Sequence, residues 1–184
     1  MKHIKDISKF LSLVLRHKPD AIGLTISPQG WLKIDELIEA ATQNGKVLSR
    51  SILDEVVFTN DKQRFAYSSD GLSIRANQGH SIDVELELKL VNPPDILYHG
   101  TAHKFVDAIR NEGLSKRKRH HVHLSTLKET AIRVGMRHGK PVVLLIDSHQ
   151  MASDGFKFYL SNNGVWLVDH IPPKYINESV GLST

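Results

Sequence analysis

Residues 64–75 read RFAYSSDGLSIR. Two short runs, Arg64-Phe65-Ala66-Tyr67 and Leu72-Ser73-Ile74-Arg75, flank Ser68-Ser69-Asp70-Gly71. That pattern predicts a β-hairpin with turn residues at its tip. The preceding sequence is helical. Ile7, Phe10, Leu11 and Val14 share one face of a helix that Pro19 ends, because a residue before proline avoids the helical region. Trp31 to Ile34 read as a short extended piece. Asp35 is expected to cap a second helix through Thr42, with Gly45 just past its end. Ser49 is expected to cap a third, with Leu53, Val56 and Val57 facing inward. Three helices followed by a hairpin predict a winged-helix-like N-terminal lobe.

Beyond the hairpin, IDVELELKL (residues 82–90) alternates apolar and polar, as a half-buried strand does. Asn92-Pro93-Pro94-Asp95 then punctuates the chain, and the domain division is placed there, at 1–92 and 93–184. In the second half Ile96 to Thr101 begin a strand that is expected to break at Gly100. Phe105, Ala108 and Ile109 mark a helix ending at Gly113. His121 to Leu124 predict a strand. Thr126 and Glu129 form a capping box for a helix running to about Arg137. Pro141 to Ile146 predict a buried strand. Phe156 to Leu160 and Val165 to Val168 predict a hairpin around Ser161-Asn162-Asn163-Gly164. The fold class is α+β, and the second lobe has short strands and two helices. Trp31, Phe65 and Trp166 are assigned to the core, and Asp147 and Asp169 to strand ends.

The chain of 184 residues carries a net charge of +4, unevenly spread. Residues 1–95 hold 12 Lys and Arg against 13 Asp and Glu, and residues 96–184 hold 12 against 7. The excess is densest at Lys116-Arg117-Lys118-Arg119, which favours an anionic ligand or a solvated loop. There is no cysteine, hence no disulfide framework and no thiolate chemistry. No apolar run is long enough for a membrane span, and MKHIKDISKF lacks the apolar stretch of a signal peptide. A cytoplasmic protein is expected.

Five of the 11 histidines lie between residues 99 and 123. His121-Val122-His123 has a metal-ligand spacing, but no carboxylate or third imidazole follows at a suitable distance, so no metal is expected. His99-Gly100-Thr101 and His123-Leu124-Ser125 both fit His-x-Ser/Thr, the paired signature of two-histidine RNA ligases and cyclic phosphodiesterases. Only 24 residues separate them, which is short for two symmetric lobes. A strand ending in His-Gly-Thr, followed by a second strand with His-Leu-Ser, also resembles the opening signatures of NAD-dependent ADP-ribosyltransferases. Many of those carry a glutamate on the third motif strand. Asn163 to Val168 have none, which argues against protein as the acceptor.

Taken in order, Leu15 to Pro19, Lys62 to Phe65, Arg75 to Ser81, Tyr98 to Thr101 and Arg119 to Ser125 closely resemble the RNA 2′-phosphotransferase family of the KptA type. The resemblance runs from about Ser8 to Ile176. It implies a winged-helix-like RNA lobe and an ADP-ribosyltransferase-like lobe, with the active site between them. It further implies that a 2′-phosphate on RNA, such as one at a transfer-RNA splice junction, attacks the nicotinamide-bearing ribose carbon of NAD. The ribose 2″-hydroxyl then attacks the phosphorus. RNA with a plain 2′-hydroxyl and ADP-ribose 1″,2″-cyclic phosphate are released.

The resemblance puts the catalytic set on Arg16, His17, Arg64 and Arg119. Preorganised guanidiniums suit a phosphate whose charge builds during transfer. His99, Gly100, Thr101, His123 and Ser125 are expected to hold NAD, with His123 lining the nicotinamide-ribose pocket. Arg75, Lys116, Arg117 and Lys118 are expected on the RNA, and Asn77 to Ser81 in a site-forming turn. A monomer is expected. The alternatives are a two-histidine phosphoesterase, a nucleic-acid-binding winged helix without turnover, and a transferase that leaves ADP-ribose on terminal phosphates.

Overall fold

The first helix forms as α1 (Lys2–Arg16), and its apolar stripe is its buried face: Ile7, Leu11, Val14 and Leu15 are inside, with Phe10 half-buried against them. The computed structural model describes residues 2–59, 62–86, 88–117 and 119–178. The chain divides into two compact units, Met1–Glu87 and Leu88–Thr184.

In the first unit, α1 stops at Arg16, ahead of Pro19, and the carbonyl of Leu13 accepts from both His17 N–H (3.0 Å) and Lys18 N–H (2.9 Å). Pro19 opens a single 3₁₀ turn to Ile22. Strand β1 (Leu32–Lys33) runs directly into α2 (Ile34–Gln43), so Asp35 is no cap. It lies in the first turn, where its charge favours the helix dipole. Ile34 N–H is already bonded to Leu72 O at 3.0 Å. The far end of α2 closes as expected: Gly45 sits at φ +71°, with Gly45 N–H on Thr42 O and Lys46 N–H on Ala41 O. Ser49 caps α3 (Arg50–Phe58) through Ile52 N–H. The hairpin is β2 (Phe65–Tyr67) and β3 (Ser73–Ala76), antiparallel, and β1 joins β3 to give the order β1-β3-β2. Leu11, Leu15, Leu37, Leu53, Phe65 and Ile74 fill the core where helices and sheet meet.

The predicted strand over 82–90 does not form as one element. Val84 is buried and Ile82, Leu86 and Leu88 are half-buried, so the alternation is real. Among the described residues only β4 (Lys89–Leu90) pairs with a strand. Val84 and Leu86 instead pack at the Gly30 turn, and Glu85 N–H bonds Pro28 O at 2.7 Å. Alternation records burial, and a ladder also needs a partner strand.

The second unit runs through β5 (Ile96–Ala102), α4 (Val106–Glu112), β6 (Leu114–Ser115), β7 (Val122–Leu124), α5 (Lys128–Gly135) and β8 (Pro141–Asp147). It continues through α6 (Ser148–Ser153), β9 (Tyr159–Leu160), β10 (Trp166–Val168), β11 (His170–Ile171) and β12 (Ile176–Glu178). Its antiparallel sheets have the orders β4-β9-β10-β7, β12-β8-β5 and β11-β6. The chain is therefore α+β. Helix α6 was not anticipated; Asp147 caps it, its carboxylate accepting from Gln150 N–H at 3.0 Å. Thr126 does not cap α5: the extended backbone continues to Leu127, whose N–H bonds the Ser125 hydroxyl at 3.0 Å.

Strand β5 does not break at Gly100. It pairs with β8 from Ile96↔Asp147 to Ala102↔Pro141. The glycine is there because α5 lies on it: a Cβ at Gly100 would stand 1.8 Å from Ala131 O. On the helix side, a Cβ at Gly135 would stand 2.4 Å from Thr101 O. Gly100→Ala is therefore expected to cost about 3 kcal/mol or more, since backbone must move. Gly164→Ala, at φ +75° with nothing within 4 Å, should cost only about 1 kcal/mol of left-handed strain. Urea unfolding of the two variants checks the contrast.

Candidate active site

The C-terminal end of α1 gathers the first group of predicted residues. Arg16 is half-buried, and its guanidinium lies 5.9 Å over the ring of Phe65, the residue after Arg64. His17 is exposed, with Nδ1 2.9 Å from Ser81 Oγ. Ser81 N–H in turn donates to Arg16 O at 2.9 Å. That bond satisfies one of the carbonyls a helix end leaves open.

Arg64 enters through an unusual backbone. Gln63 before it has φ +40°, a left-handed conformation rare for a residue with a Cβ. Asn77 holds it there: its side-chain amide donates to Gln63 O at 2.5 Å, and its backbone N–H donates to Arg64 O at 2.9 Å. Strain of this kind, held from outside, recurs where a functional side chain must be aimed.

Arg75 on β3 is only 9% exposed, and its guanidinium lies 4.3 Å over the ring of Trp31. Trp31 is half-buried, so its expected place in the core holds only in part. Phe65 and Trp166 are buried as expected.

In the second unit β5 and β7 place the histidine motifs side by side. Tyr98 N–H donates to Ser125 O at 2.8 Å and Ser125 N–H returns to Tyr98 O at 3.0 Å. His99 Nδ1 is 3.0 Å from the carbonyl of His123. A carbonyl only accepts, so Nδ1 carries the proton and Nε2 presents a lone pair while the ring is neutral. Burial pushes the His99 pKa down; the bond to the His123 carbonyl opposes this, and the Arg119 charge adds to it. Thr101 is buried. Gly100 alternates to the opposite face, against α5, where Ala131 O leaves no room for a side chain.

Arg119 is exposed, and its guanidinium lies 3.3 Å from His123 Nδ1. Arginine can only donate, so His123 accepts at Nδ1. Among the described residues no carboxylate pairs with Arg119. Lys116 differs: it forms a 2.6 Å ion pair with Asp169, which lowers that carboxyl's pKa. Arg117 is exposed at φ +52°, and Lys118 lies outside the described residues. His121 packs edge-on to Tyr159, at 5.7 Å between ring centres, and burial lowers its pKa. Among the described residues no three His, Asp or Glu gather as a metal site, and no helix is long and apolar enough to cross a membrane. The contact of Ser81 with His17 was not read from sequence, because a serine in a Gly-His-Ser turn carries no signal of its partner.

The chain matches, over residues 2–170, the family described as RNA 2′-phosphotransferase, Tpt1 / KptA family. A protein of Flavobacterium johnsoniae named "Probable RNA 2′-phosphotransferase" is 57% identical over 172 residues, which cover 94% of each chain. Proteins with the same name from Rhodopirellula baltica and Acaryochloris marina are 56% and 53% identical, and the matches cover 95% and 96% of this chain and 96% and 98% of theirs.

The depressed His99 and His121 values carry a sign. Below the ordinary histidine value, about 6.5, the unfolded chain binds protons that the folded chain does not. Their contribution to stability is therefore complete above that pH and is lost as pH falls from there toward the folded values. His99→Gln should flatten part of the fall in urea midpoint between about pH 7.5 and 5. A slope equal to the parent's would contradict the assigned cause.

Proposed function

The chain belongs to the RNA 2′-phosphotransferase family, and on that premise we propose that it removes an internal 2′-phosphate from RNA in an NAD-dependent reaction. The reading extends to a winged-helix-like first lobe and an ADP-ribosyltransferase-like second lobe. NAD is the co-substrate and supplies a ribose carbon that nicotinamide leaves. The RNA phosphate attacks that carbon, and the 2″-hydroxyl then attacks the phosphorus, freeing the RNA 2′-hydroxyl and ADP-ribose 1″,2″-cyclic phosphate.

The observation that carries this reading is the pairing of Arg119 with an imidazole instead of a carboxylate. An ion pair would spend the guanidinium's charge inside the protein. Donation to His123 Nδ1 leaves the charge intact for a phosphate and still fixes the side chain's direction. Arg16, His17 and Arg64 are assigned to the same phosphate, and His17 to proton transfer in the second step. The residues of the second unit suit NAD. His99 Nε2 can accept from a ribose hydroxyl because Nδ1 is occupied, and the lowered pKa keeps that lone pair bare at neutral pH. Thr101, Ser125 and His123 lie near it on β5 and at β7, and Gly100 keeps that strand in place. Arg75, Lys116 and Arg117 are assigned to positioning RNA without reading sequence. The ion pair of Lys116 makes it the weakest of these.

The test is an RNA oligonucleotide bearing one internal 2′-phosphate, incubated with the purified protein with and without NAD. Dephosphorylation only with NAD, with the cyclic phosphate of ADP-ribose as product, is expected. NAD-independent turnover, or release of inorganic phosphate, would point to the two-histidine class. A stable adduct as sole product would point to a terminal ADP-ribosyltransferase. Arg119→Ala should slow the second step by roughly 100- to 1,000-fold, the usual effect of losing one preorganised donor, and so accumulate ADP-ribosylated RNA. Mass spectrometry of the RNA reads this directly.

A further inference from the structure

We infer that Ser81 is the positioning residue for His17: its hydroxyl holds Nδ1 so that Nε2 is presented to the substrate. The inference rests on the role assigned to His17 above. Ser81 grips the end of α1 twice. Its backbone N–H donates to Arg16 O, and its Oγ stands 2.9 Å from His17 Nδ1, across 64 residues of chain. Gly79, at φ +86°, makes the turn that returns the chain to the helix. The backbone bond places the hydroxyl, and the hydroxyl places the ring.

The chemistry of the partner matters as much as its position. A ring that passes a proton through Nε2 changes what it needs at Nδ1. A carbonyl can only accept there, whereas a hydroxyl accepts from Nδ1–H and, by rotating, donates to a bare Nδ1. A carboxylate would also orient the ring, but it would hold a negative charge beside the RNA phosphate. Serine supplies orientation in both protonation states without that repulsion.

Ser81→Ala keeps the backbone bond to Arg16, so the fold is retained. Three arms use the full-length protein with 2′-phosphorylated RNA and NAD, and long-range ¹⁵N NMR of the His17 ring, assigned by comparison with His17→Ala. Ser81→Ala is expected to lower the Nδ1–H population of His17 and to displace the His17 limb of the pH–rate profile. It should lower kcat roughly 2- to 10-fold, the rate equivalent of one ordinary hydrogen bond, with KM little changed. Ser81→Thr, which keeps the hydroxyl, should restore all three. An unchanged ring signature and pH profile in Ser81→Ala overturns the inference, as does a loss of rate that threonine does not rescue. Parent-level turnover by His17→Ala brings down the role of His17 and the positioning role with it, and only that arm reports it.

Discussion

Helix α5 lies on strand β5 at a separation that only glycine permits, and the geometry of the second unit's histidines follows from that contact. Gly100 meets Ala131 O, and Gly135 meets Thr101 O, so each element presents a side-chain-free patch to the other's backbone. With one face of β5 committed at Gly100, strand alternation turns His99 and Thr101 to the other face. Pairing with β8 over the full length of β5 fixes their height, and the paired Tyr98–Ser125 bonds bring in the end of β7. The His99 ring then reaches the carbonyl of His123, and the tautomer is decided by a backbone atom.

The contacts of His17, His99 and His123 differ in kind from those of His149 and His170. His17 has a hydroxyl, His99 a backbone carbonyl, and His123 a guanidinium. His149 and His170 stand near the carboxylates of Asp95 and Asp169. A carboxylate partner raises an imidazole's pKa and adds negative charge. A hydroxyl, carbonyl or arginine orients the ring without that negative charge. The same logic separates Arg119 from Lys116 within one basic run. They are three residues apart, yet one points its charge at an imidazole and the other pairs it with a carboxylate at the surface.

Sequence patterns disclosed what depends on neighbours in the chain. The stripe of α1, the Ser49 cap, the Gly45 ending and the 64–75 hairpin are local, and each formed as read. What depends on a distant partner leaves no such pattern. Asp35 has the residue type of a cap, and nothing local shows that Leu72 O already holds the first helical N–H. Gly100 has the look of a strand break, because only the tertiary fold brings Ala131 against it. Thr126 has the residue type and spacing of a capping box, but the extended backbone runs on through Leu127 and the helix begins only at Lys128. The basic and histidine positions and the 77–81 turn are legible as motifs, whereas the bonds that Asn77, Ser81 and the His123 carbonyl make are not.

Asn77 and Ser81 show why one irregular segment matters to two regular elements. Asn77 bonds Gln63 O and Arg64 O, fixing the start of β2 where the backbone is forced to φ +40°. Four residues on, Ser81 bonds Arg16 O and the His17 ring, fixing the end of α1. Holding a non-glycine residue in the left-handed region costs on the order of 1 kcal/mol, which the two Asn77 bonds can offset. Two residues before Asn77, Arg75, through its stack on Trp31, ties β3 to the turn before β1. A regular strand over 77–81 would run straight on at about 3.3 Å per residue, without the left-handed turn at Gly79 that returns Ser81 to the end of α1. The irregular backbone of this stretch thus carries the bonds that hold Gln63, Arg64, Arg16 and His17, one from each end of the turn.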